Sequence, residues 1–217
     1  MKVHYRIARL FLLLLLASPA SLAESPRWVL IGDSIIVSSK PEKDVRQSMA
    51  YFLERYHGVS VSLLAAGGQT MVTGAAPLLG GAVNYLHGPS QQVSVLVIAL
   101  GTNDWWLDAG VGVPPDDFTQ AYAAFLQQVP PEIAVYCVTP ITRHDEAARN
   151  AQGLDLDAYR DLVSETCSAA GATVLAGELV FDTVGEPDFV EDGVHLTPAG
   201  TWKYTQWLWR QITYLAP

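Results

Sequence analysis

Residues 93–100, VSVLVIAL, constrain this chain more than any other segment: the run is almost wholly apolar and stops at Gly101. A strand with one wet face alternates apolar and polar residues, so a run without a polar face reads as a strand covered on both sides. Similar apolar runs occur at residues 28–31, ending on Gly32, at 133–138, and in a shorter form at 172–175. Val59, Val61 and Leu63 alternate like a strand that Gly67-Gly68 breaks. Helical spacing fills the intervals. Residues 41–57 place Val45, Met49, Phe52, Leu53 and Tyr56 on one stripe, and glycines weaken the helical pattern of residues 74–86. Residues 116–129 predict a helix capped by Asp116, and residues 156–170 one closed by Gly171. Thr197-Pro198 opens a last helix to about residue 214. This alternation predicts an α/β domain, a five-stranded parallel sheet with helices on both faces.

The 217 residues read as one domain preceded by a targeting segment. Lys2, Arg6 and Arg9 precede an apolar run at residues 10–17, and Ser21-Leu22-Ala23 has small-x-small cleavage character. The apolar run is shorter than the ~20 residues of a spanning helix, which favours cleavage over a retained anchor. The expected division is a signal peptide over 1–23 and a mature domain over 24–217, released to the periplasm or secreted, with no stable membrane insertion. The formal net charge of −9 argues against nucleic acid or anionic lipid as partners, since both reward clustered Lys and Arg. Cys137 and Cys167 could pair in an oxidising compartment or lie buried as small apolar residues; the sequence leaves both open. No spacing of Cys or His suggests a metal site or any other cofactor.

In parallel sheets, ligands bind beyond the carboxyl ends of the strands. The first strand is followed by Gly32-Asp33-Ser34, the second by Gly67-Gly68-Gln69-Thr70, and the third by Gly101-Thr102-Asn103-Asp104. Asp192-Gly193-Val194-His195 precedes the last helix. A serine hydroxyl becomes a nucleophile when a base takes its proton, and histidine suits that role. A carboxylate on the other ring nitrogen fixes the tautomer and stabilises the imidazolium, and Asp192 can reach His195 locally. Acyl transfer also needs fixed N–H donors for the oxyanion. The Ser34 and Gly68 amides and the Asn103 side chain are the candidates. A capping role for Ser34 and an Asx-turn for Asn103 are the structural alternatives.

Together, Gly32-Asp33-Ser34, Gly68, Gly101-Thr102-Asn103-Asp104 and Asp192-x-x-His195 resemble the four signature blocks of the SGNH (GDSL-type) hydrolases, in order and across nearly the whole mature chain. The resemblance implies a flavodoxin-like three-layer α/β/α sandwich and metal-free hydrolysis of esters or thioesters. It further implies a triad of Ser34, Asp192 and His195, with an oxyanion hole at Ser34, Gly68 and Asn103. Two departures stand out. Ile35 follows the serine where leucine is usual, and the Asn common before Gly68 is missing from Leu63-Leu64-Ala65-Ala66.

Asp33 and Asp104 read as supports that hold the loops. Trp105 and Trp106 form either a substrate-facing wall or packing beneath the loop. The expected activity is that of an exported serine esterase working through an acyl-enzyme on a small-molecule ester. Alternatives are deacetylation of a polysaccharide or peptidoglycan, or acyl transfer to a sugar. A non-catalytic binding protein on the same fold is more remote, because Ser34, His195 and Asn103 are all present.

Overall fold

A computed structural model describes residues 27–37, 45–72, 75–88, 92–185 and 187–215. The expected targeting segment and the expected start of a helix at residue 41 lie outside them. Five strands, β1 (Arg27–Gly32), β2 (Ser60–Ala65), β3 (Val93–Ala99), β4 (Ala134–Val138) and β5 (Thr173–Leu175), form one sheet in the order β2-β1-β3-β4-β5. Every neighbouring pair is parallel. This is the flavodoxin-like order, in which the chain switches direction between β1 and β3 and leaves a crevice at their carboxyl ends.

The apolar runs alternate between two cores, as the two-residue period of a strand requires. Val29, Ile31, Leu96, Ile98 and Cys137 face one cluster, and Trp28, Leu30, Val97, Tyr136 and Val138 face the other. Three helices cover the first face: α3 (Ala75–Leu86), α6 (Pro115–Leu126) and α7 (Leu156–Ala169). On the second lie α2 (Met49–His57) and α8 (Pro198–Leu215). Each fully buried Leu or Ile contributes about 1.5–3 kcal/mol, so the two layers dominate the stability. Cys137 on β4 and Cys167 on α7 form a disulfide, with Cα atoms 6.4 Å apart, inside the first layer.

Local chemistry sets the helix ends, and two differ from expectation. α2 begins at Met49, because the Ser48 hydroxyl accepts the Tyr51 N–H at 3.1 Å; a 3-10 turn at Val45–Gln47 precedes it. Asp116 does not cap α6. Pro115 takes the first helical position, where its fixed φ suits entry, and Asp116 and Asp117 lie in the first turn, where negative charge is favoured. Thr197 does cap α8, accepting the Gly200 N–H at 3.1 Å. Three short helices were not expected: α1 (Ser34–Val37), α4 (Thr102–Trp105) and α5 (Leu107–Gly110). α1 begins two residues after the end of β1, and α4 and α5 follow that of β3, at the carboxyl edge of the sheet.

Candidate active site

Ser34 stands at the first position of α1, two residues beyond the end of β1. The buried Asp33 shapes this turn: its Oδ1 accepts the Ile35 N–H at 2.9 Å, and its carbonyl accepts from Ile36 and Val37. Ile35 and Ile36 are buried in the second core and anchor the turn from below. The hydroxyl is thereby presented at the sheet edge, 2.9 Å from Nε2 of His195, a residue 161 positions away in sequence.

The His195 loop is tied at both sides. Phe189 and Leu196 form an antiparallel bridge, and Val190 N–H donates to the His195 carbonyl at 3.0 Å. Asp192 Oδ1 accepts the N–H groups of Val194 at 2.9 Å and of His195 at 2.8 Å, while its Oδ2 lies 2.7 Å from His195 Nδ1. Burial pushes the Asp192 carboxyl up, but these bonds outweigh it and hold the group down at about 2. An ionised Asp192 can only accept, so Nδ1 is the donor and Nε2 keeps the lone pair that faces Ser34. Gly193 between them has φ +60°, and a Cβ there would meet the His144 side chain at 2.8–2.9 Å. His144, whose N–H donates to the Gly193 carbonyl at 3.1 Å, is therefore the neighbour that braces this loop.

The second and third strand ends meet beside the serine. Gln69 N–H bonds the Ala66 carbonyl at 3.2 Å, closing a turn in which Gly68 takes φ +73°. A Cβ on Gly67 would come within 3.9 Å of Ser34 Cβ, so this turn runs past Ser34. Asn103 Nδ2 donates to the Gln69 carbonyl at 3.0 Å, which leaves its second amide hydrogen uncommitted. Asp104 Oδ1 accepts the Met71 N–H at 2.8 Å. The loop that lacks the usual preceding Asn is thus held from the β3 side, by Asn103 and Asp104.

Asp33 and Asp104 are both buried, and burial pushes each carboxyl from 3.8 up to about 7; at Asp104 the like charge of Asp33 adds to the rise. Between about pH 4 and 7 the folded state then binds more protons than the unfolded chain. Stability is fully present at the acidic end of that window and falls as pH rises through it. Asp192 has the opposite sign, but its window lies lower, between about 2 and 3.8. The melting temperature is expected to be higher at pH 5 than at pH 8, measured by calorimetry. A flat or rising profile over that interval would show that these carboxyls are ionised in the folded protein.

The two tryptophans separate. Trp105 is fully buried in the first core, where its Nε1–H donates to the Leu154 carbonyl at 3.1 Å and its ring lies under the Arg143 guanidinium. Having no exposed surface, it is packing rather than substrate wall. Trp106 is half-buried, packs on that core and remains available to a substrate. Two residues that sequence reasoning missed hold the loop after β4. Arg160, buried on α7, donates to the Pro140 and Ile141 carbonyls and pairs with Glu146. Asn150 Nδ2 donates to the Trp105 carbonyl at 2.9 Å, stapling this loop to the one after β3. Among the described residues, no three His, Cys, Asp or Glu side chains gather as metal ligands, and no helix is long and apolar enough to cross a membrane.

The GDSL-like lipase/acylhydrolase family model matches residues 30–203. No curated protein sequence matches the chain significantly. Among solved structures, the fold is similar to a lipase/acylhydrolase from Enterococcus faecalis, with 18% identity and a TM-score of 0.68 over 87% of this chain and 96% of that one. It is also similar to Est24, a carbohydrate acetylesterase from Sinorhizobium meliloti, with 15% identity and a TM-score of 0.66 over 88% of this chain and 100% of that one. TesA gives 18% identity and a TM-score of 0.68 over 87% and 99% of the respective chains. At these identities the likenesses speak for the fold, whereas the family model spans all four motif blocks. The chain belongs to the GDSL-like lipase/acylhydrolase family, the SGNH hydrolases.

Proposed function

We propose that the protein is an exported serine esterase that hydrolyses carboxylic esters or thioesters through an acyl-enzyme on Ser34. The single observation that carries the reading is the unbroken relay from Ser34 Oγ to His195 Nε2 at 2.9 Å and from His195 Nδ1 to Asp192 at 2.7 Å. His195 takes the Ser34 proton as Oγ attacks the carbonyl carbon. The oxyanion is met by the Ser34 and Gly68 N–H groups and the free amide hydrogen of Asn103. The leaving alcohol or thiol departs with the proton from His195. Water then attacks the acyl-enzyme by the same route, releasing the acid and restoring Ser34.

Export is supported by the basic and apolar N-terminal residues and by the Cys137–Cys167 disulfide, a bond that persists in oxidising compartments. A mature N-terminus at Glu24 in the secreted or periplasmic fraction is the mass-spectrometric check. Est24, described as a carbohydrate acetylesterase, supports a second substrate reading, an acetyl group carried on a glycan. The half-buried Trp106 suits either an apolar acyl chain or a sugar face.

The deciding experiment is a chain-length series of p-nitrophenyl esters run beside acetylated xylan and peptidoglycan. Turnover of the short-chain esters with transient acylation of the Ser34 peptide is the expected result. Acetate release from polymer alone would move the reading to the glycan substrate. No ester turnover on any of these would overturn it.

A further inference from the structure

Beneath α1 lies a cavity of about 10 Å³, roughly the room that one water needs. Its polar lining comes from four places in the chain: Asp33 after β1, Thr102 after β3, Thr139 after β4 and Tyr204 on α8. All four are almost fully buried, at 2%, 4%, 3% and 2% exposure. Thr139 is already committed, since its Oγ1 accepts the Gly177 N–H at 2.8 Å and donates to Glu178. Thr102 is not: its Oγ1 is buried with no partner. A buried hydroxyl left unpaired costs about 1–3 kcal/mol, so native interiors rarely tolerate one beside a cavity that could hold its partner.

We propose that Asp33 is a positioning residue that acts as an uncharged acid: by way of one enclosed water it joins Thr102 and Tyr204, and so fixes the Ser34 turn against the turn that carries Asn103. The proposal rests on the serine-esterase reading and extends it to the floor of the same site. Burial favours the neutral form of Asp33, against neighbouring groups that favour the charged one. Arg143, the cation that acts on it, is engaged with Asp145 through two hydrogen bonds, at 2.5 and 2.9 Å. A charge on Asp33 would raise both the Asp104 carboxyl and the Tyr204 hydroxyl, which stays uncharged. Burial outweighs the help from Arg143 and the Ile35 N–H and pushes the Asp33 carboxyl up to about 7. The cavity lining also suits one water. One water can accept from the acid O–H and the Tyr204 O–H and donate to Thr102 Oγ1. An ionised Asp33 would have no proton to give.

The test compares Asp33→Asn, Asp33→Ala, Tyr204→Phe and Thr102→Val at pH 6 with p-nitrophenyl acetate, each variant first shown to melt cooperatively. Asparagine reproduces a neutral acid in shape and in donor capacity. Asp33→Asn is expected to keep kcat within about threefold of the parent, whereas Asp33→Ala loses roughly 30-fold in kcat with KM nearly unchanged, the mark of a misplaced nucleophile. Tyr204→Phe and Thr102→Val should each lose several-fold, and adding either to Asp33→Ala should cost little more. The proposal is overturned if Asp33→Asn is as slow as a charge-requiring site would make it, if Tyr204→Phe and Thr102→Val match the parent, or if their losses add fully to that of Asp33→Ala. Should Asp33→Ala not fold, the isosteric Asp33→Asn and Tyr204→Phe still decide. Ester turnover that survives Ser34→Ala would instead defeat the esterase reading, a separate outcome.

Discussion

Ser34→Ala is expected to lower kcat for p-nitrophenyl butyrate by about 10⁴–10⁶-fold, with His195→Ala equally damaging and the double variant no worse. The non-additivity is the sharper part of the expectation. Ser34 Oγ and His195 Nε2 stand 2.9 Å apart and in the proposed route act in one step, so removing either would remove the whole step. What remains is the contribution of the oxyanion donors and of binding, neither of which Ser34→Ala touches in the folded protein; KM should therefore change little. Asp192→Asn should cost about 10⁴-fold, because an amide NH₂ in place of Oδ2 would face Nδ1 and turn the imidazole to the wrong tautomer. Its folding cost is expected to be small, since Asn can still accept the Val194 and His195 N–H groups with one oxygen. Steady-state kinetics on the four proteins is the check. A Ser34→Ala protein with more than about a tenth of parental turnover would exclude the covalent route.

The strands were legible because a doubly covered strand has no polar face to disguise it: residues 28–31 and 93–100 read as buried from composition alone, and they lie in β1 and β3 at the centre of the sheet. The candidate site was legible for a related reason. A parallel sheet puts its crevice at the strand ends, so Ser34, Gly68 and Asn103 could be named from their positions just after apolar runs. Interactions that depend on the third dimension could not be read. Nothing in the spacing of Cys137 and Cys167 tells how near a strand residue lies to a helix residue 30 positions later. Trp105 and Trp106 are adjacent and chemically alike; the turn of α4 buries the first and leaves the second half-open. Nothing in the helical pattern of residues 156–170 singles out Arg160, and only the path of the loop after β4 shows why it is buried. Asp116 was misread because Pro115 outweighs it locally, a competition visible in sequence but resolved there in favour of the wrong residue.

Replacing both Cys137 and Cys167 by Ala should cost about 3–4 kcal/mol of stability and lower the melting temperature by roughly 10 °C, while leaving kcat at 25 °C nearly unchanged. The stability term follows from the 30-residue separation of the two cysteines, since the bond removes from the unfolded chain the freedom of that loop. Both side chains are fully buried in the first core, so truncation adds a packing loss in the same direction. Activity should survive because the bridge is not the only tie between β4 and α7. Arg160 separately holds the carbonyls of Pro140 and Ile141, and Thr139 N–H bonds the Leu175 carbonyl at 3.0 Å, so the segment leading to His144 and the Gly193 turn keeps its course without the disulfide. Thermal melts of parent and double variant, with kinetics at 25 °C, test both halves. A melting temperature within about 2 °C of the parent would mean that the bridge carries little stability. A large fall in kcat would mean that the catalytic loops depend on it directly, and that Arg160 alone does not hold them.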